Sequence, residues 1–543
     1  MGFNLIEEPW IRVIDTQCHV TELPLLEALL NAHKYRALGG ESPTQDAAIL
    51  RLLIAVVYTV FYRTDEDGQA AMLEEENEAL DRWETIWNQG NLPAEPIRAY
   101  LDTWRERFAL FDEERPFYQV PEAKIGTPHT AAKLNGAILQ SENKLRIFSN
   151  RTEASSGSLS YAEAARWLVY LQSYDDASVK PKTEEGKRNV KTKPGSARGW
   201  MGNLGILYAV GGNLFETIWL NTVFLRDGKE LYGKPEPCWE LSRPHVGEYT
   251  QIPVPDNPAA LFTLQGRRLL LKREGESITA YSEYCGDLLE QQDAFAEPMT
   301  VWKTLKKKKD IIGYLPCPHS PERQLWRDFS TVAVQSTQTR LPGIVYWLKA
   351  LQDADCLDSY PLLRFASVSA LYDSSGSSVT NTVSDTLSFH ANLLGKAGEG
   401  WQTRIEDQIH FTDRLADAIG LLAGELALAA GRREIKDRKM LPPQRMSAAE
   451  TAKAQFYFRV DAAFRPWLLL PKAEQGIDEK EELCARWRET AKTIARALGQ
   501  ELVESAGEAA FLGRWIKWDD EKTVHYSSAE AFNRFLRTMQ SAT

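Results

Sequence analysis

The most regular hydrophobic pattern lies in the last third of the chain. Apolar or small side chains recur at alternating spacings of four and three residues, at positions 401, 405, 409, 412, 416, 419, 423 and 426. This period is typical of an amphipathic helix that buries one face. Three more amphipathic runs follow, and their starts are marked by pairs typical of a capping box: Ser447 with Glu450, Asp478 with Glu481, and Ser527 with Glu530. Four such helices predict a C-terminal four-helix bundle.

The preceding part of the chain is less regular. Strand-like runs at 10–14, 260–272 and 344–348 alternate with helical stretches and with turns rich in Gly and Pro. The change in character near residue 385 predicts an α+β protein. Its two domains are a large mixed α/β N-terminal domain at 1–385 and the four-helix bundle at 386–543.

The most apolar stretch, residues 47–61, is too short to span a bilayer and contains Arg51. Ser42, Pro43 and Gln45 before it provide an N-cap, a proline in the first turn and a capping-box partner. This combination predicts a buried helix. No membrane association is expected.

Length and composition indicate a globular protein with more than one domain. The chain has 543 residues, of which 43% are hydrophobic and 26% are charged, so it has ample material for a core. Its six cysteines are scattered without any CxxC pair, which argues against a zinc ribbon and against a disulfide framework. The N-terminal residues lack the features of a signal peptide, and a cytoplasmic location is expected.

Charge is distributed unevenly along the chain. With a formal net charge of -11, the protein as a whole is repelled by nucleic acid, so phosphate contacts need local basic patches. One such patch, which we call the basic segment, contains Lys180, Lys182, Lys187, Arg188, Lys191, Lys193 and Arg198. A second run comprises Lys303 and residues 306–309, with no acid before Asp310. Each run alone is also compatible with a solvated surface loop. Together they favour DNA binding.

Catalytic motifs are absent from the sequence. Gly395 and Lys396 resemble the end of a phosphate-binding loop, but Ala397 replaces the Ser or Thr that would hold magnesium. Cys317 and His319 offer two metal ligands at most. We therefore expect a protein that is not an enzyme and has neither cofactor nor metal. Two alternatives remain open: a nuclease that depends on a divalent metal, and a purely structural scaffold.

Five short segments resemble, in the same order, segments of one protein family. They are FNLIEEPWIRV at 3–13, RPFYQV at 115–120, IFSNRT at 147–152, SARG at 196–199 and GYLPCPHSP at 313–321. The family is CasA, the large subunit of the type I-E CRISPR surveillance complex Cascade. The resemblance covers nearly the whole chain, including the C-terminal helices.

The resemblance implies a non-catalytic role in DNA recognition. The family's large subunit reads a protospacer-adjacent motif from the minor groove of duplex DNA, separates the strands and recruits the CRISPR nuclease-helicase. Pairing with the CRISPR RNA supplies the remaining specificity. The implied partners are double-stranded target DNA, the CRISPR RNA, the other Cascade subunits and the nuclease-helicase.

The same resemblance implies roles for individual residues. Lys306, or Lys303 if a gap is allowed, matches the motif-reading lysine. Residues 191–195 match the family's glycine loop, but lysines replace consecutive glycines there, which favours phosphate contact. Phe148, Ser149 and Asn150 match a loop that touches the guide RNA and neighbouring subunits.

The strand wedge of the family maps onto Ser375 and Gly376. These residues depart from the amide side chains found there in the family, so the mechanism of strand opening is open at this position. The sequence predicts that Gly376→Gln leaves folding intact unless Gly376 needs a positive φ.

Overall fold

The computed structural model describes residues 2–136, 138–139, 144–145, 157–177, 198–242, 252–287, 289, 291–308, 310–334, 339–358, 360–431, 443–517 and 523–541. The chain divides into two compact units. The first comprises residues 1–321 and 331–386, and the second comprises 322–330 and 387–543.

Helices and strands alternate irregularly through the first unit, and long helices dominate the second. The described α-helices are α1 Leu25–Leu30, α2 Pro43–Arg63, α3 Glu76–Gln89, α4 Ala94–Thr103, α5 Ala131–Leu134, α6 Tyr161–Tyr174, α7 Leu214–Leu220, α8 Pro258–Phe262, α9 Phe329–Ala333, α10 Gly343–Asp353, α11 Glu399–Ala430, α12 Pro443–Leu468, α13 Ile477–Ser505, α14 Gly507–Leu512 and α15 Ser528–Ser541.

The described strands are β1 Ile11–Ile14, β2 Val20–Leu23, β3 Ala37–Leu38, β4 Thr127–Thr130, β5 Ile138–Leu139, β6 Lys144–Leu145, β7 Ile206–Ala209, β8 Leu225–Arg226, β9 Glu230–Leu231, β10 Arg267–Glu274, β11 Ser277–Cys285, β12 Trp302–Lys307, β13 Asp310–Pro316, β14 Leu362–Tyr372, β15 Val379–His390, β16 Arg514–Lys517 and β17 Thr523–Tyr526. They form three-stranded sheets in the orders β2-β1-β3, β10-β11-β4 and β15-β14-β7, and two-stranded hairpins β5-β6, β8-β9, β12-β13 and β16-β17. This mixture of helix and strand agrees with the expected class.

Helix α2 is the central element of the first unit. The Ser42 hydroxyl accepts a hydrogen bond from the Gln45 amide (3.2 Å) and Pro43 occupies the first turn, which confirms the predicted start. Among the described helices, α2 alone is long and apolar enough to cross a membrane, but 94% of its apolar window is buried inside the protein. It contacts α4, α6, α8 and β14. We therefore describe it as a core helix.

Two stretches of the first unit differ from the sequence-based expectation. Residues 260–262 belong to helix α8, and the strand β10 begins only at Arg267. Residues 344–348 form part of helix α10, not a strand. A short apolar run fits a buried strand and a buried helix equally well, and Pro342 starts a helix here.

The second unit is built around the long helix α11. All eight positions of its predicted apolar stripe are buried. Helix α11 contacts α12, α13, α14 and α15, and α13 contacts α12 and α15. At their contact, the Trp487 ring of α13 meets the Phe464 ring of α12 edge-on at 4.8 Å. Aromatic packing of this kind buries large apolar areas.

Two of the three predicted helix starts are wrong. Helix α12 begins at Pro443, before Ser447, and α13 is capped at Gly476, not at Asp478. Ser527 does precede α15, and its hydroxyl accepts from the Glu530 amide at 3.4 Å. The short helix α14 and the hairpin β16-β17 were not predicted.

Candidate nucleic-acid interface

The hairpin β12-β13 carries both lysines that the sequence singled out as motif readers. Its strands pair antiparallel, and the side chains of Lys303, Lys306 and Lys307 are exposed. Lys308 follows at the tip with a φ of 58°. Across the hairpin, Lys303 pairs with Leu315, Lys306 with Ile311, and Lys307 with Asp310.

The two candidate lysines lie on opposite faces of this hairpin. Alternate residues of a strand share a face, so Lys306 shares one with Trp302, while Lys303 lies on the other. The face that carries Trp302 is covered at the end of the hairpin opposite its tip. There the Phe295 ring stacks on Trp302 at 5.3 Å, and the Arg340 guanidinium lies 5.1 Å from the Trp302 ring. Lys306 lies farther towards the tip. The two lysines therefore leave the hairpin from different faces.

A buried ion pair holds the root of the hairpin. The guanidinium of Arg51 in α2 forms two hydrogen bonds with the Glu297 carboxylate, at 2.8 Å and 2.9 Å, and both side chains are buried. The same carboxylate accepts from the backbone N–H of Met299 (3.1 Å) and from the Trp200 indole N–H (2.8 Å). Glu297 therefore ties α2 to the chain before β12 and to the chain just after the basic segment.

Six residues of the basic segment, Lys180, Lys182, Lys187, Arg188, Lys191 and Lys193, lie outside the described residues. The residues that flank this segment on both sides are connected by hydrogen bonds and an ion pair. The Gly199 amide donates to the Asp175 carbonyl (2.9 Å), and the Asp175 carboxylate pairs with the buried Arg267 guanidinium. The Ala177 amide donates to the Gly376 carbonyl (2.8 Å). The two ends of the segment are thus fixed beside the predicted wedge.

Arg198 is the one residue of the basic segment that the structure describes. Its guanidinium lies 4.2 Å from the centre of the Tyr372 ring, in a cation–π contact. The Tyr372 hydroxyl in turn donates to the Tyr174 carbonyl (2.7 Å). The Arg198 Nε is buried and has no hydrogen-bond partner among the described residues. The sequence placed Arg198 with the basic loop, and the structure also brings it next to Gly376.

The turn at 373–378 is closed by its own hydrogen bonds. The Asp373 carboxylate accepts from the Ser377 amide (2.8 Å) and from the hydroxyls of Ser375 (2.9 Å) and Ser377 (3.0 Å). Desolvation acts to raise the pKa of Asp373, but these hydrogen bonds outweigh it and keep the pKa below its ordinary value. The carboxylate is therefore part of the turn.

Ser375 and Gly376 differ in their surroundings. Ser375 is exposed, whereas Gly376 is buried and has a φ of +72°. A β-carbon on Gly376 would lie 3.0 Å from Arg198 Nη2 and 3.4 Å from the Ala177 β-carbon. This geometry meets the exception stated for Gly376→Gln, because a side chain there is strained by the positive φ and crowded by Arg198. We therefore expect the substitution to destabilise the fold.

The remaining candidate residues are placed as follows. Phe148, Ser149 and Asn150 lie outside the described residues. The His319 ring Nε2 lies 2.9 Å from the Ile206 carbonyl, and the His319 amide donates to the Ser369 hydroxyl (2.9 Å), so the 313–321 segment packs onto the sheet. Within the described ranges, no three His, Cys, Asp or Glu side chains are grouped so as to hold a metal ion.

Sequence reasoning missed the Arg51–Glu297 pair. A signal was present, since an arginine inside an otherwise apolar helix needs a buried acidic partner. Within the sequence, Arg51 argued only against a membrane span. Glu297, 246 residues farther along the chain, had no local pattern that marked it.

Comparison with known proteins agrees with the resemblance found in the short segments. The sequence profile of the family described as CRISPR-associated protein Cse1 matches residues 4–498. The chain belongs to this Cse1 (CasA) family. The expected membership among the large subunits of type I-E Cascade is thereby confirmed.

Individual Cse1 relatives agree in sequence and fold. A CRISPR-associated protein CasA/Cse1 of Thermus thermophilus is 30% identical over 336 residues, which are 61% of this chain and 60% of that relative. The crystal structure of Thermobifida fusca Cse1 is 26% identical, with a TM-score of 0.80, and the match covers 100% of this chain and 98% of that chain. A chain from a structure described as a CRISPR RNA-guided surveillance complex shares the fold, at 17% identity and a TM-score of 0.66, over 99% of this chain and 100% of that one.

Proposed function

We propose that this Cse1-family chain is the non-catalytic large subunit of a type I-E CRISPR surveillance complex in antiviral defence. In this proposal it recognises the protospacer-adjacent motif on duplex DNA, helps to open the strands and recruits the nuclease-helicase. Its other partners are the CRISPR RNA and the remaining Cascade subunits, in the cytoplasm. Support comes from the family membership and from the fold shared with a chain of a structure described as a CRISPR RNA-guided surveillance complex.

The observation that carries the DNA-binding part is the lysine hairpin. In a chain with a net charge of -11, β12-β13 exposes Lys303, Lys306 and Lys307 on one narrow arm. A minor groove about 6 Å wide does not admit a two-stranded ribbon, so such an arm reads the groove with its side chains. A lysine near the tip reaches deeper than one near the root.

We therefore assign motif reading to Lys306 and phosphate contact to Lys303. The basic segment from Lys180 to Arg198 also contacts phosphates in this proposal, because lysines replace the glycines of the family's loop. Residues 148–150 contact the guide RNA and neighbouring subunits. The helices α11, α12, α13 and α15 act together as a four-helix bundle that holds neighbouring subunits and the displaced DNA strand.

The decisive experiment compares Lys306→Ala with Lys303→Ala. Each variant, assembled with its CRISPR RNA complex, is titrated with duplexes that differ at the three bases flanking the target. Lys306→Ala should reduce the preference for the correct motif by about 1–3 kcal/mol, because the truncated side chain no longer reaches a base edge. Lys303→Ala should weaken all duplexes similarly, because a phosphate contact carries no sequence information.

Lys272→Ala is the matched control, since Lys272 is an exposed strand lysine outside the hairpin. A uniform loss for Lys306→Ala would make Lys306 a phosphate contact, and a lost preference for Lys303→Ala would transfer the reading role to Lys303. If the parent complex binds no duplex at low salt, the DNA-recognition proposal is wrong and a structural scaffold remains.

A further inference from the structure

The orientation of the lysine hairpin depends on what packs against its root, the end opposite its tip. Outside its own strand pairing, the described element that β12-β13 contacts most extensively is the short 3-10 helix Gln291–Ala296. This helix carries Phe295, whose ring stacks on Trp302, the first residue of β12. The packing at Trp302 therefore sets the direction in which the rest of the hairpin extends.

Arg340 adds a cation to this aromatic contact. Its guanidinium carbon lies 4.9 Å from the centre of the Phe295 ring and 5.1 Å from that of the Trp302 ring, and the two ring centres are 5.3 Å apart. Three such similar distances describe a nearly equilateral triangle, so the guanidinium contacts both rings at once. Aromatic rings attract a cation through their quadrupole. Arg340 therefore joins the ring before the hairpin to the ring that begins it.

Asp227 fixes the guanidinium of Arg340 from a different part of the unit. The Arg340 Nη2 lies 3.1 Å and 3.3 Å from the two oxygens of the Asp227 carboxylate. Asp227 lies in the turn between β8 and β9 and has a φ of 49°. The planar guanidinium has a fixed fork of donors, which makes such contacts directional. Arg340 thus connects the lysine hairpin to the hairpin β8-β9.

The face of the lysine hairpin that receives this contact also carries Lys306. Trp302 and Lys306 are four residues apart on β12, so they share a face and are separated by about 13 Å at about 3.3 Å per residue. Over that length, a rotation of about 5° at Trp302 displaces Lys306 by about 1 Å. A hydrogen bond weakens steeply with such a change in distance and angle. Small changes at the root therefore matter for a side chain near the tip.

We propose that Arg340 is a positioning residue for motif reading, which fixes the angle of the hairpin and so places Lys306 against its base edge. This inference rests on the proposed function and adds to it a residue that contacts neither base nor phosphate. Without the contacts of Arg340, the hairpin turns about its root and Lys306 no longer keeps one hydrogen-bonding geometry. Preference for the motif then falls, while phosphate contacts, which carry no sequence information, persist.

The test is a double-mutant cycle in the complete CRISPR RNA complex. Arg340→Gln, Lys306→Ala and the combined variant are titrated with duplexes that carry a correct or an incorrect motif, at several salt concentrations. Asp227→Asn is a milder second variant, because Asn also adopts a positive φ and keeps the turn unstrained. The matched control is Arg404→Gln, since the Arg404–Glu481 pair has the same 3.1 Å separation but lies in the second unit.

Arg340→Gln should reduce the preference for the correct motif by about five- to tenfold, and by no more than Lys306→Ala does. A positioning residue removes at most the effect of the side chain that it positions, so the combined variant should match Lys306→Ala alone. Asp227→Asn should give a smaller reduction, and Arg404→Gln none. The salt dependence of Arg340→Gln should equal that of the parent, because no phosphate contact is lost.

Several outcomes overturn the inference alone. One is a parental preference in Arg340→Gln and Asp227→Asn while Lys306→Ala lowers it, since a merely structural contact would change stability without changing preference. A second is a flatter salt dependence in Arg340→Gln, which would make Arg340 a phosphate contact. A third is a further loss of preference in the combined variant, which would show that Arg340 acts independently of Lys306.

Other outcomes remove the proposed function first. A parental preference in Lys306→Ala overturns the assignment of motif reading to Lys306, and the positioning role of Arg340 falls with it. A parent complex that binds no duplex at low salt overturns DNA recognition as a whole.

Discussion

The hairpin β12-β13 and the turn at 373–378 offer a DNA ligand quite different surfaces. The hairpin exposes several lysines and an isoleucine. In the turn, by contrast, polar groups form hydrogen bonds to the Asp373 carboxylate, and Gly376 is buried next to Arg198. A ligand therefore meets side chains at the hairpin, but mainly backbone and small hydroxyls at the turn. In this chain, the hairpin offers side chains to a ligand, and the turn packs against Arg198.

Both elements depend on buried anchors that hold them in place. Glu297 accepts hydrogen bonds from Met299, near the hairpin, and from Trp200, two residues after Arg198. If the two elements are independent, changes at one should leave the other intact. If they share the anchor, removing it should affect both.

The largest expected effect follows from Arg51→Ala. This change leaves the Glu297 carboxylate buried without its cation, which typically costs about 3–5 kcal/mol. Urea unfolding followed by tryptophan fluorescence measures the loss, and motif preference should fall together with non-specific affinity. The control is Arg105→Ala, which breaks the exposed Arg105–Glu7 pair and should cost less than about 1 kcal/mol. Equal losses for the two variants would contradict the anchor role of Arg51.

The next effect concerns Gly376→Gln, which tests how tightly the turn is packed. We expect a loss of about 2 kcal/mol in unfolding free energy, because the residue has a positive φ and its β-carbon meets Arg198. Gly275→Gln is the control: Gly275 has a φ of +60°, but a β-carbon there would meet nothing within 4 Å, so this variant should show the backbone strain alone. If both variants lose the same stability, the proximity of Arg198 contributes nothing.

A smaller effect is expected from neutralising the basic segment. Replacing Lys187, Arg188, Lys191 and Lys193 by Ala should weaken binding to all duplexes alike. It should also flatten the salt dependence by about 0.9 in logarithmic slope for each phosphate that the protein no longer neutralises. A double variant of the exposed Lys229 and Lys272 is the control and should leave the slope unchanged. An unchanged slope in the fourfold variant would remove the basic segment from the DNA-binding surface.

The smallest effect is expected from Ser375→Gln. Ser375 is exposed, so the unfolding free energy should change by no more than about 0.5 kcal/mol. The longer amide supplies the side-chain type that the resemblance implies for the strand wedge, and strand opening on matched targets should be equal or faster. A fluorescent base analogue at the first target pair follows the rate. A loss of opening with stability unchanged would show that this turn does not lie at the DNA fork.

The sequence alone predicted features that depend on neighbours along the chain. The start of α2 at Ser42 and Pro43 and the buried stripe of α11 were correct, because capping and helical periodicity act over one or a few turns. Family membership also followed from short collinear segments. The predicted starts of α12 and α13 were wrong, because α12 already includes Pro443 and α13 is capped at Gly476, upstream of the predicted capping residues.

Only the tertiary structure decided features that join distant parts of the chain. The Arg51–Glu297 pair forms across 246 residues, and no local pattern links its two members. Gly376 is constrained by Arg198, which sequence reasoning had assigned to a separate loop. The opposite faces of Lys303 and Lys306 follow from strand geometry and pairing. Register and burial of this kind arise from packing between elements, so a single sequence read locally does not determine them.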